Sequence, residues 1–217
     1  MVRIVCVADT HGFHTHTHIP PGDVLIHAGD CTRHGTLEDI DAFNAWLGTL
    51  PHPHKVVIAG NHDFAFQEAP TAARQRLTHA IYLEDAACTL AGLTFYGSPW
   101  TPTFFDWAFM LPEEQLAAKW QAIPAGVDIL ITHGPPRGIL DRTHRGQSAG
   151  SATLFERVQI VQPRLHVFGH IHEAAGRAEI DGTIFLNAST ALGHGCGVVV
   201  TLAHPAAERA ELADAAR

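Results

Sequence analysis

Five stretches of the chain, Val2 to Ala8, Val24 to Ala28, Val56 to Ala59, Val127 to Thr132 and Leu165 to Phe168, are short, largely apolar and rich in β-branched residues. A strand with one wet face alternates apolar and polar positions, because successive side chains point to opposite faces; these runs do not alternate, and are expected to be covered on both sides. Helical patterns lie between them. Thr36 is placed to cap a helix carrying Leu37, Ile40, Phe43, Ala45, Trp46 and Leu47 on one broad face until Pro51 stops it. Pro112, followed by Glu113 and Glu114, opens a second with Leu116, Trp120 and Ile123 inward. Ser151 caps a third, whose stripe is Leu154, Phe155, Val158 and Val161. Hairpins are predicted at Ala91-Gly92 and at Asp181-Gly182, the second between Ala178 to Ile180 and Thr183 to Leu186. Helices alternating with strands and interrupted by hairpins predict a mixed α/β sandwich rather than a purely parallel sheet.

At 217 residues the chain fits one domain, expected over 1–204, with an Ala/Glu/Arg-rich tail, 205–217, as a surface helix or flexible end. No apolar run approaches the roughly 18 residues of a membrane span, so no membrane partner is expected. The formal charge of −8, with no basic stripe to follow a phosphate backbone, disfavours long nucleic acid as a partner, though not short oligonucleotides. The N-terminal M-V-R-I-V-C-V-A reaches Asp9 too soon for a secretory leader, and the mature chain is expected to start at Met1. Cys6, Cys31, Cys88 and Cys196 show no Cys-x-x-Cys spacing, which fits reduced thiols and a cytoplasmic location.

Chemistry is concentrated in the 17 histidines and their neighbours. The first apolar run is followed by A-D-T-H-G, with Asp9 and His11; the second ends in H-A-G-D, with Asp30. The third leads into A-G-N-H-D, with Asn61, His62 and Asp63; the fourth into I-T-H-G-P-P, with His133; the fifth into F-G-H-I-H-E, with His170 and His172. If the backbone stays extended there, His170 and His172 share a side while Ile171 turns to the core. Each residue alone is more often a cap, a turn or a surface histidine. Five such groups in register are not explained by caps, and α/β sheets gather ligands beyond the carboxyl ends of their strands. Imidazole mixed with carboxylate suits Mn, Fe, Zn or Co better than Mg or Ca.

In order and spacing, D-x-H, G-D, G-N-H-D, H and G-H-x-H resemble the pattern of the calcineurin-like metallophosphoesterase superfamily from residue 3 to about residue 190. The strings Y-G-S-P-W-T-P, T-H-G-P-P and L-H-V-F-G-H-I-H-E resemble its metallophosphoesterase-domain-containing subgroup, related to class III cyclic-nucleotide phosphodiesterases. The resemblance implies a four-layer α/β/β/α sandwich with mixed sheets and ligands at the carboxyl ends of strands. It implies two divalent or trivalent metal ions, one held by Asp9, His11 and His172, the other by Asn61, His133 and His170, with Asp30 bridging. His62 would be the general acid and Asp63 would orient its ring. The implied activity is hydrolysis of small phosphodiesters, cyclic nucleotides among them, by a metal-held hydroxide. A nuclease, a phosphomonoesterase and a low-turnover nucleotide-binding regulator are the alternatives, and the complete ligand set, His170 included, favours an enzyme. His14, His16 and His18 read as a solvated loop, Ser98 to Trp107 as core packing or a base-stacking surface, and Arg142 and Arg145 as solvated arginines or phosphate ligands.

Overall fold

The computed structural model describes residues 1–190 and 195–204; the tail from Pro205 lies outside the described residues. The chain passes through β1 (Val2–Val7), β2 (Val24–Ala28), α1 (Leu37–Thr49), β3 (His54–Ile58), two short helices, α2 (Phe64–Glu68) and α3 (Pro70–Arg76), and β4 (Ile81–Tyr82). A hairpin of β5 (Ala86–Leu90) and β6 (Leu93–Ser98) leads into the small pair β7 (Thr101–Pro102) and β8 (Met110–Leu111). Then come α4 (Glu113–Gln121), β9 (Ile129–Thr132), α5 (Ala152–Val161), β10 (Leu165–Phe168), a hairpin of β11 (Gly176–Ile180) and β12 (Thr183–Asn187), and β13 (Val198–Leu202).

The capping residues act as their chemistry requires. Thr36 Oγ1 accepts from Asp39 N at 3.1 Å while the Asp39 carboxylate accepts from Thr36 N, a reciprocal box worth about 1 kcal/mol. Ser151 Oγ accepts from Leu154 N at 3.1 Å. Glu113 does more than favour its own helix: its carboxylate accepts from Ala152 N at 3.1 Å, so it caps α5 and ties the two helices together. Both predicted hairpins turn on paired positive φ, 49° and 75° at Ala91 and Gly92 and 49° and 80° at Asp181 and Gly182.

Two mixed sheets result, with strand orders β13-β1-β2-β3-β4 and β11-β12-β10-β9-β6-β5. Along β1 the side chains divide by parity: Ile4 and Cys6 enter the cluster between the sheets with Ile26, Phe95 and Ile131. Val5 and Val7 pack outward against Ile40, Phe43 and Leu47 of α1. The second sheet repeats the arrangement, sending Leu130 and Phe168 outward onto Leu116, Trp120, Leu154 and Val158 of α4 and α5. Three apolar layers therefore separate four layers of structure, α/β/β/α, and β2, β9 and β10 are buried along their whole length, with β1 and β3 buried over the residues that lead into the site, as the unalternating runs require. No helix among the described residues is long and apolar enough to cross a membrane.

Two histidines are buried in strands. His27 of β2 places Nε2 2.9 Å from Thr10 Oγ1, and His166 of β10 places Nε2 2.8 Å from Thr132 Oγ1. Thr132 Oγ1 donates its proton to Gly134 O, so His166 Nε2 carries the hydrogen and Nδ1 is left without a partner. Burial pushes both imidazoles down to about 3. The unfolded chain then takes up these protons first as pH falls, and each histidine contributes stability that is present above about 6.5 and lost on the way to about 3. The slope is about 1.4 kcal/mol per pH unit for each. Denaturant midpoints are expected to drop steeply from pH 6.5 to 4, and to drop less steeply, by one proton, in His166→Phe; identical slopes would remove His166 as the cause.

Candidate metal centre

All the singled-out residues lie at the carboxyl ends of β1, β2, β3, β9 and β10, where the two sheets are laced together: Ala8 N donates to Ala188 O at 2.9 Å and Thr190 N to Ala8 O at 3.0 Å. The chain turns sharply at three of these ends, after β1, β2 and β10. Asp9, His11, Asp30 and His170 take φ of 56°, 44°, 55° and 67°, a left-handed conformation in which residues other than glycine are uncommon and which is concentrated at functional sites. Close packing explains the glycines beside them. A Cβ at Gly60 would collide with the Asp30 carboxylate and the His133 ring, and one at Gly169 with Asp9 and Ala8.

Asp9, His11 and His172 form one cluster, their ligand atoms within 4.8 Å of one another; His172 Nε2 is 3.3 Å from His11 Nε2 and 3.7 Å from Asp9 Oδ1. Asp30 Oδ2 sits 3.6 Å from His11 Nε2 and 3.4 Å from His133 Nε2, between the two halves of the site. Asn61 Oδ1 is 2.9 Å from His133 Nε2. His170 joins through its ring, 5.0 Å edge-to-face from His133, while its backbone N donates to Asp9. Two further groups have ligand atoms within 4.8 Å of one another, Asp9 with Asp30 and His133, and His62 with His11 and Asp30.

Several local features differ from the sequence-based expectation. The backbone after β10 is not extended: His170 is left-handed and His172 begins a 3-10 turn, His172–Ala174. The His172 ring stands beside Asp9 and His11 and the His170 ring beside His133, while Ile171 is buried. Asp63 does not hold the His62 ring. Its carboxylate accepts from Gly60 N, Thr32 N and Thr32 Oγ1 at 2.8, 2.9 and 2.6 Å, so it joins the loop after β2 to the loop after β3. The His62 ring instead lies against His11, 4.7 Å away edge-on, and Trp107, 4.9 Å away, while its backbone N donates to Asp30 Oδ1 at 2.8 Å. His14 leaves the expected solvated loop and packs against Phe43 and Trp46; His16 and His18 are exposed. Arg142 closes its own loop by donating to Gly146 O, and Arg145 is exposed.

Sequence reasoning passed over His27 and His166. Through Thr10, next to Asp9, and Thr132, next to His133, each braces a loop that carries a candidate ligand. The available signal was an imidazole inside an otherwise apolar strand, L-I-H-A and L-H-V-F.

The donor set fits a cation. His133 Nδ1 is 2.9 Å from Ala28 O, and a carbonyl only accepts, so this nitrogen donates and Nε2 points at Asp30 Oδ2 and Asn61 Oδ1. Oxygens and a ring lone pair converge there and need something positive between them. Without metal a proton takes that part: burial alone would lower the His133 imidazolium, but Asp30 and Asp9 draw it up to about 9. Burial likewise would raise Asp30, yet His133 and His11 hold its carboxyl far below the usual range.

Imidazoles and carboxylates are thus gathered at the strand ends of an α/β/β/α sandwich. The chain belongs to the calcineurin-like phosphoesterase family, whose pattern matches residues 2–174. It is 46% identical over 213 residues to metallophosphoesterase domain-containing protein 1 of Homo sapiens, covering 86% of this chain and 65% of that one. With UPF0046 protein T07D4.2 of Caenorhabditis elegans the identity is 40% over 218 residues, with 86% and 55% covered. The chain thus spans about two thirds or less of these relatives' length. TT1561 of Thermus thermophilus shares the fold, with a TM-score of 0.62 at 13% identity over 86% of this chain and 88% of that one.

Proposed function

We propose that the chain hydrolyses small phosphodiesters, cyclic nucleotides among the candidates, at a two-metal centre, and that it does so in the cytoplasm, where its four free cysteines would stay reduced. The observation that carries the reading is the position of Asp30 Oδ2 between His11 and His133. Asp9, His11 and His172 would hold one ion and Asn61, His133 and His170 the other, with Asp30 shared. When bound, a pair of Mn, Fe, Zn or Co ions supplies an acidified water and neutralises charge on the phosphate. Asp30 keeps the two halves at a fixed separation, and its second oxygen holds the backbone N of His62. His62, half-buried at the rim, delivers a proton to the departing oxygen. The test is metal-stripped protein reloaded with Mn, Zn, Fe or Mg in turn and assayed on a panel of mono- and diesters; absence of turnover with every metal would end the proposal.

The division of ligands can be tested separately. At φ 67° a glycine is unstrained, so His170→Gly removes an imidazole without disturbing the backbone. The variant is expected to stay folded, keep the ion at Asp9, His11 and His172, and bind the second at least ~10- to 100-fold more weakly, the loss typical even of a residue that merely supports a ligand. Elemental analysis finding two tightly held ions would overturn the pairing.

A further inference from the structure

Thr103–Phe109, T-F-F-D-W-A-F, links β7 to β8 at the rim of the metal centre. Its root is anchored. Ala108 N donates to Asn61 O at 3.1 Å, Phe109 N to Gln67 Oε1 at 2.7 Å and Trp100 Nε1 to Asp85 Oδ2 at 2.9 Å, so the loop is registered on the residue next to His62. At the tip the opposite holds: Phe104 and Phe105 are 61% and 69% exposed. Their rings stand 6.2 and 5.5 Å from Trp107, whose own ring lies 4.9 Å from His62, itself 4.7 Å from His11. A file of aromatic rings therefore runs from a candidate metal ligand out to solvent. Phe105 and Phe109 adopt φ of 69° and 52°, which a bulky residue rarely does. Exposed, strained and adjoining the site, the rings are arranged as a binding surface would be.

The loop carries no Lys or Arg, so it has nothing to offer the phosphate; it presents flat apolar faces just beyond His62. If His62 protonates the departing oxygen, the group attached to that oxygen emerges over these faces. We infer that Phe104, Phe105 and Trp107 form a leaving-group subsite for a planar aromatic ring, so that preferred substrates are phosphoesters whose departing alcohol bears an aryl group or a nucleobase. The inference rests on the phosphoesterase reading and on the place of the His62 ring between His11 and Trp107. Stacking of one ring on an aromatic side chain corresponds to about 5- to 150-fold in affinity.

Calorimetric binding to Mn-loaded protein tests it without turnover. Phenylphosphonate is compared with methylphosphonate, and adenosine monophosphate with ribose 5-phosphate; inorganic phosphate reports the metal centre alone. At least one aromatic ligand should bind about fivefold or more tightly than its counterpart, and that ratio should shrink at least threefold in Phe105→Ser and in Trp107→Leu. The pair that shows the effect identifies the ring as aryl or nucleobase. Both ratios near one in the parent protein, with phosphate still bound, overturn the subsite and leave the phosphoesterase reading standing. Failure of phosphate and every phosphonate to bind overturns both. Equal weakening of both members of a pair shows that the loop only shapes the metal centre, and a change of oligomeric state with unchanged ratios makes the rings a protein contact; either result overturns the inference.

Discussion

Asp30→Ala is expected to lower kcat by three orders of magnitude or more and to reduce bound metal at both positions. The charge stabilisation given by a metal pair amounts to several kcal/mol, and each 1.4 kcal/mol is tenfold in rate. One side chain should have this reach because Asp30 Oδ2 lies 3.6 and 3.4 Å from imidazoles of the two halves. Alanine also loses the acceptor for His62 N and must hold φ 55°, so Asp30→Asn is the informative companion. Asparagine tolerates the left-handed backbone and keeps the size and an acceptor while losing the charge. Near-normal turnover with full metal content in a folded Asp30→Asn would sink the bridging role.

His62→Ala should separate substrates by their leaving groups. An alkoxide needs a proton to depart, whereas a nitrophenolate leaves nearly unaided; an alkyl or ribose phosphodiester is therefore expected to slow by roughly 10² to 10⁴ and a nitrophenyl diester much less. Metal content should be unchanged. That last measurement matters because the His62 ring nitrogen also lies within 4.8 Å of ligand atoms on His11 and Asp30. Equal losses on both esters would make His62 a positioning residue, and loss of an ion would make it a ligand.

The parts of the fold that were legible in the sequence are those set by local rules. Central strands read as unbroken apolar runs because helices cover both sheets, and α1 and α5 begin where Thr36 and Ser151 accept a backbone N–H. β13 was missed: Val198–Leu202 pairs antiparallel with β1 from the far end of the chain, and nothing local reports such a partner. α2 and α3 have no capping side chain to announce them. Within the site, the ligand candidates could be found because each follows a strand, so their convergence is a property of the topology. Their orientation was not legible. A single positive φ at His170 turns an expected strand end into a turn, and hydrophobic periodicity is blind to one torsion. The partners of Asp63 were equally hidden, since Thr32 lies 31 residues away and meets it only once β2 and β3 pair.

The bonds that Asp63, Asp9 and His133 make to Gly60, to His170 N and to Ala28 O have a consequence for timing. The last two fasten the loops of one sheet to those of the other and the first closes the loop after β3, all with groups the protein supplies itself. Zinc fingers, by contrast, have no folded state until the ion arrives. If ions bind as proposed, the chain is expected to fold first and be filled afterwards, so that the metals on hand would decide which ions it carries and one could be exchanged for another without unfolding; metal-stripped protein that shows no cooperative thermal transition would refute this.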